Sequence, residues 1–209
     1  MSLSRSPRHA FIVAFLPIFL LLMGFAGVYL YTIALHCGDI GGNQCLTQYL
    51  WLSESFLHGR LDLSPELVKF ASPIDTVVRE GRYYWPLGPL PAVLFMPVVA
   101  VLGKAPIVQG VGHGLLAVTV FCVAMLLARR EGFSRSDSLW LAVALCFGSF
   151  LVGVIDMAMP WHFANLLTVL CVLVALLEWR GRNRPLAIGI ALALAVASRP
   201  QAVIACGFF

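Results

Sequence analysis

Residues 75–103 read "DTVVREGRYYWPLGPLPAVLFMPVVAVLG". Charges, two tyrosines and a tryptophan give way within ten residues to an apolar run that contains Pro86, Pro89, Pro91 and Pro97. Proline inside a helix removes a hydrogen bond and clashes with the preceding turn. The run 87–103 is therefore expected to form a partial or re-entrant helix, and that choice decides how the rest of the chain is threaded.

The surroundings are strongly apolar. Of 209 residues, 60% are hydrophobic and 11% charged, with a mean hydropathy of +0.91; in soluble domains about a quarter of residues are charged. This composition predicts an integral membrane protein. Uncharged runs fall at 10–35, 87–103, 111–128, 138–155, 163–177 and 185–198, and about 20 such residues span a bilayer as helix. The first run is too long for the apolar part of a signal peptide, about 7 to 15 residues, and "IALHC" before Cys37 lacks the small residue that lipoprotein processing needs. A retained first helix is expected. The chain ends on the apolar "QAVIACGFF", which reads as the start of a further segment of a longer protein.

Positive residues lie in short clusters between the runs, "SRSPRH", "ARREGFSR" and "EWRGRNR". Such clusters mark the cytoplasmic side, which places the N-terminus inside and "DMAMPWHF" and "SRPQ" outside. Nucleic acid is not an expected partner, because the charge is not gathered into one patch. Between 35 and 128 the chain must cross an odd number of times, yet two apolar runs lie there. Treating 87–103 as non-crossing resolves the conflict, since irregular backbone at membrane depth is tolerated where protein or water covers it.

Six of the ten acidic residues, Asp39, Glu54, Asp62, Glu66, Asp75 and Glu80, fall in the first outer loop, 35–86. Within it, "CLTQYLWLSESFLHG" puts Leu46, Tyr49, Leu50, Phe56 and Leu57 on one side at helical spacing, with Gln48, Glu54 and Ser55 elsewhere. That pattern fits an amphipathic juxtamembrane helix or an ordinary packed loop helix, stopped at Gly59. The expected fold class is all-α, a polytopic membrane helix bundle of a single transmembrane domain.

Cys37 and Cys45 bracket "GDIGGNQ" on the face assigned to the oxidising side, where a disulfide can persist; two unrelated thiols fit as well. Cys122, Cys146, Cys171 and Cys206 read as core residues. No metal-ligand spacing such as CxxC or HExxH occurs, and no structural zinc is expected. Asp39 and Asp75, near membrane boundaries in the outer loop, are candidate general bases for a hydroxyl, against the alternative that each is solvated or caps a helix. Asp156 fits a site or a boundary marker equally. Trp161 and His162 fit an interfacial belt, with His162 also able to donate to a phosphate. Arg199 in "SRPQ" suits a phosphate, whose oxygens its fork can bind in pairs, or an interfacial anchor.

The order of these features resembles the N-terminal half of the GT-C membrane glycosyltransferases, which include protein mannosyltransferases and lipid A aminoarabinose transferases. The resemblance runs through "Y..L..SFLHGRLDL", "GRYYWPLGPLPAVLFMPVVAVLG", "DMAMPWHFANLL" and "LALAVASRPQ". It implies transfer of a sugar from a polyprenyl-phosphate carrier to an acceptor glycan, lipid or protein outside the membrane, in a bacterial inner membrane, and leaves a divalent metal open. By resemblance Asp39, then Asp75, matches the base, and Asp156 and Arg199 match acidic and basic residues at later helix ends. Two features depart from the pattern. Asn43 and Gln44 stand where many members have an acidic pair, and "YYWPLGP" lacks the lysine of some members, for which Arg82 could substitute. Arg79 and Arg82 are then candidate carrier contacts, and Tyr83, Tyr84 and Trp85 stacking surfaces or anchors. The competing readings are a transporter, which should show broken helices in two repeated halves, and a non-catalytic membrane protein that binds a lipid carrier.

Overall fold

The computed structural model describes residues 47–63, 76–156 and 159–209. The apolar run 10–35, Asp39, Glu66, Asp75 and the cysteines Cys37 and Cys45 lie outside these residues, as does the expected disulfide. The described chain is mostly helical. It runs α1 (Gln48–Leu57), β1 (Val77–Arg79), β2 (Arg82–Tyr84), α2 (Leu90–Leu102), α3 (Pro106–Arg130), α4 (Arg135–Phe147), α5 (Leu151–Asp156), α6 (Pro160–Trp179), α7 (Pro185–Ser198) and a 3₁₀ helix (Pro200–Gly207).

Proline is mainly a helix starter here. α3, α6, α7 and the 3₁₀ helix each begin on one, where the missing N–H is not needed and φ is already helical. Among the described residues only Pro97 lies in a helix interior. α2 has 13 residues, about 20 Å at 1.5 Å per residue, short of a hydrocarbon core of about 30 Å. Both of its ends are tied to neighbouring residues of α1. The Ser53 hydroxyl lies 2.7 Å from the Ala92 carbonyl in the first turn of α2, and Lys104, just past its last residue, is 2.5 Å from Glu54. α2 thus packs against α1 near both of its ends.

α3 and α6 are the two described helices long and apolar enough to cross a membrane. They run parallel. At one end the Phe163 ring of α6 meets His113 of α3, centroids 6.0 Å apart; at the other, Arg130 of α3 donates to the Leu177 carbonyl of α6 at 2.6 Å. α7 returns antiparallel, its last residue Ser198 donating to the Ala164 carbonyl at 2.9 Å. Consequently "ARREGFSR" and "EWRGRNR" share one end, bridged by Arg180 and Glu131, while α1, α2, the start of α6 and Arg199 share the other.

The structure adds to the sequence expectations at three points. The described chain is consistent with the all-α expectation but also holds a short antiparallel hairpin, in which Val77 pairs with Tyr84 and Arg79 with Arg82. Its turn residues Glu80 and Gly81 both have positive φ, 54° and 74°, the signature of a tight type I′ turn. The single helix expected over 138–155 is broken. Gly148 ends α4 and Ser149 joins the pieces, its hydroxyl donating to the Leu145 carbonyl at 2.6 Å and accepting the Leu151 N–H at 3.1 Å. Lastly, α1 is packed on several sides and not merely along an apolar stripe. Gln48 and Ser55 are buried whereas Leu57 is exposed, so the packed-helix alternative holds. Its stop is at Gly59, as expected: with φ of +70° there, Gly59 N–H reaches the Phe56 carbonyl and Arg60 N–H the Ser55 carbonyl, the paired bonds of a Schellman ending.

Candidate functional site

The end of the molecule that holds α1 and Arg199 contains a buried aromatic cluster. Phe163 sits at its centre, with ring centroids 4.9 Å from Phe95, 6.0 Å from His113 and 6.5 Å from Tyr49. The Phe95 ring reaches α3 because Gly112 has no side chain: a Cβ there would come within 2.9 Å of the ring. Tyr49, fully buried, stands edge-on to Trp85 at 5.9 Å.

Trp85 is delivered by the hairpin. The β2 carbonyl of Tyr83 accepts the Leu63 N–H at 2.8 Å, and the chain then passes through "WPLGP" over the end of α7. Gly88 makes that passage possible, since a Cβ at this position would overlap the Ala197 carbonyl oxygen and lie 2.6 Å from that of Ser198. The backbone of residue 88 therefore rests on the turn that presents Arg199.

Arg199 is half-buried. Its Nη2 donates to the Trp161 carbonyl at 2.9 Å, and its Nε has no hydrogen-bond partner. The Tyr49 hydroxyl and Trp85 Nε1 are likewise buried without a partner in hydrogen-bond geometry. Burial pushes the Tyr49 phenol up to about 12, an effect that the nearby Trp85 indole N–H and Arg199 guanidinium offset only in part. Tyr49 therefore keeps its proton at neutral pH. The indole N–H points at the phenol oxygen, which leaves the guanidinium Nε–H and the phenol O–H to offer protons, and unsatisfied buried donors of this kind are costly unless a ligand answers them. Their chemistry fits an anionic oxygen.

The expected site residues divide. Arg199 is part of the cluster. His162 lies next to it, its ring edge-on to Trp161 at 6.0 Å and within electrostatic range of His113. Arg79 and Arg82 are exposed at the tip of the hairpin, Arg79 3.8 Å from Glu80, and they do not enter the cluster. Tyr84 is half-buried on β2. Asp156 is the last residue of α5, whose Val154 carbonyl accepts from His113 Nε2 at 3.0 Å; a carbonyl only accepts, so Nε2 carries the proton. Asp39 and Asp75 lie outside the described residues. Glu54, a weaker acidic candidate along with Asp62, is engaged by Lys104, whose ammonium also stands 3.6 Å over the Trp51 ring. Cys146 and Cys171 are buried as expected, but Cys122 and Cys206 are exposed on the apolar exterior.

Sequence reasoning overlooked the polar roles of Tyr49, Trp85 and Lys104. Tyr49 was read as one member of an apolar stripe and Trp85 as an anchor. The available signal was the aromatic residue directly before Pro86 and Gly88, a segment stiff and slim enough to pack against another helix end. Among the described residues no group of three or more His, Cys, Asp and Glu side chains forms a metal-binding cluster.

No protein-family model, curated protein or solved structure matches this chain.

Proposed function

We propose that the chain is an integral membrane protein that binds a polyprenyl-phosphate-linked sugar at the Arg199 end and transfers the sugar to an acceptor hydroxyl. The observation that carries this reading is the Arg199 guanidinium, anchored through Nη2 on the Trp161 carbonyl with Nε unpartnered beside the buried, protonated Tyr49. A carrier phosphate needs such a set: one fixed positive charge, neutral donors around it, and apolar helices alongside for the lipid tail. The apolar exterior supports the membrane setting, since Val101, Leu115, Phe150 and Leu186 are all exposed. By the positive-inside rule we read the Arg180 end as cytoplasmic and the site as facing outward, and the resemblance implies a bacterial inner membrane.

In this mechanism Asp39, or Asp75, accepts the proton of the acceptor hydroxyl. The acceptor oxygen then bonds to the sugar's anomeric carbon as the bond from that carbon to the phosphate oxygen breaks. The phosphate leaves with the electron pair, and Arg199 and Tyr49 stabilise the charge that develops on it.

The test is sugar transfer in proteoliposomes loaded with a polyprenyl-phosphate sugar. Arg199→Ala should lose carrier binding, and Asp39→Asn should lose turnover while binding survives. Binding without turnover in the wild-type protein would favour a non-catalytic carrier-binding protein, and unchanged binding in Arg199→Ala would reject the phosphate site.

A further inference from the structure

At the opposite end, the turns 129–137 and 178–184 hold six arginines, Arg129, Arg130, Arg135, Arg180, Arg182 and Arg184, against Glu131, Asp137 and Glu178, a net of +3. Several of these charges are internally engaged. Arg180 forks onto both oxygens of Glu131, joining the two turns. Arg184 forks onto Glu178 at 2.7 and 2.8 Å. Arg130 is committed to the Leu177 carbonyl and Arg129 to that of Phe133, while Asp137 closes on the Ser134 hydroxyl at 2.6 Å. Among the described residues every acid of these turns thus has a partner, whereas Arg135 and Arg182 are exposed with no acidic side chain in reach. Four arginines here have no carboxylate partner, Arg129 and Arg130 held on carbonyls and Arg135 and Arg182 exposed, and with only Asp137 against them they account for the excess of +3.

A collar of exposed apolar side chains follows directly. Phe133, Trp140, Trp179 and Leu186 come from the same turns or the first helical turns beyond them, with Trp140 66% and Leu186 76% exposed. Basic side chains next to an exposed aromatic and aliphatic collar match the boundary between headgroups and hydrocarbon. An acidic protein surface would answer the charge but leave the collar in water, so lipid is the favoured partner.

We infer that this end is a binding surface for anionic phospholipid headgroups, with Arg135 and Arg182, which are held by neither a carboxylate nor a carbonyl, as its most available contacts. The Glu131–Arg180 bridge sets the spacing between them by fixing one turn to the other. The inference rests on the membrane setting proposed above but is independent of sugar transfer.

The experiment uses the whole protein in phosphatidylcholine bilayers with increasing dibrominated phosphatidylglycerol, reading quenching of tryptophan fluorescence against dibrominated phosphatidylcholine. The wild-type protein should prefer the anionic lipid. Each arginine near an anionic surface contributes about 1 kcal/mol, which is about fivefold, so Arg135→Gln combined with Arg182→Gln should reduce the preference by roughly an order of magnitude. The corresponding double lysine variant should retain most of it. Equal quenching by the two lipids, or an undiminished preference in the double glutamine variant, would overturn the inference. Recovery of the protein in the bilayer after an alkaline wash tests the membrane setting separately: a protein lost at that step overturns the setting and this inference with it, whereas a retained protein without anionic preference overturns this inference alone.

Discussion

Arg199 donates through Nη2 to the Trp161 carbonyl at 2.9 Å while its Nε–H is left without a partner. One edge of the guanidinium is used to fix its position and another is kept available. Lysine can supply the charge but not this division, because its ammonium has no rigid fork. Arg199→Lys should therefore weaken anion binding at least tenfold, since a hydrogen bond to a charged group contributes about 1.5 to 3 kcal/mol. Binding of a short-chain polyprenyl phosphate to the detergent-solubilised protein measures it, and unchanged affinity would return Arg199 to an anchoring role.

Tyr49→Phe separates binding from folding. Apart from the indole N–H of Trp85 the buried hydroxyl has no partner, so its removal should change stability by no more than about 1 kcal/mol, while phosphate binding falls. The thermal midpoint and the binding isotherm are both needed. The phenol also sets an alkaline limit: its pKa, raised by burial to about 12 from an ordinary value of 10.0, exceeds that of the unfolded chain. Its contribution is fully present below pH 10 and declines as pH rises from 10 toward 12. Tyrosinate absorbance of the folded protein should include one late-titrating group that Tyr49→Phe removes.

Gly88→Ala should be disruptive although the residue is remote from any chemistry. The added methyl meets backbone oxygens of Ala197 and Ser198, which cannot rotate aside as a side chain would. A loss of about 2 kcal/mol is expected, together with faster proteolysis in the segment 85–89. Wild-type stability in this variant would show that the hairpin does not rest on α7.

Glu54 and Lys104 should couple. Their side chains are 28% and 23% exposed, so the interaction is partly screened, and a double-mutant cycle with Glu54→Gln and Lys104→Met should give about 0.5 to 1 kcal/mol. A coupling indistinguishable from zero would mean that Ser53 alone fastens α1 to α2.

The pattern of helices was legible in the sequence because apolar length and proline position are local properties. The expectation that 87–103 forms a short, interrupted helix came from its prolines, and α2 is accordingly 13 residues long with Pro97 inside it. What escaped the sequence depends on contacts between distant residues. The break at Gly148 and Ser149 is set by two side-chain hydrogen bonds within a run whose hydropathy continues unbroken. The burial of Gln48 and Ser55 defeats a stripe-based reading of α1, because a helix surrounded by protein has no single wet face. Arg79 and Arg82 are expected as carrier contacts from their place before the proline-rich helix, Arg82 also in place of a lysine by resemblance, but the tight turn of the hairpin leaves both in the open. Arg199 was identifiable because a lone cation ends an otherwise uncharged helix.

The attachment of both ends of α2 to α1 has a consequence for how the chain is laid down during synthesis. On the proposed membrane reading such a segment adds nothing to the tally of passages, which makes the compartment of every later residue independent of whether it inserts early, late or only after its neighbours have folded. Compartment reporters fused after Arg60 and after Lys104 should accordingly give the same answer, and the first change of side downstream of them belongs to α3.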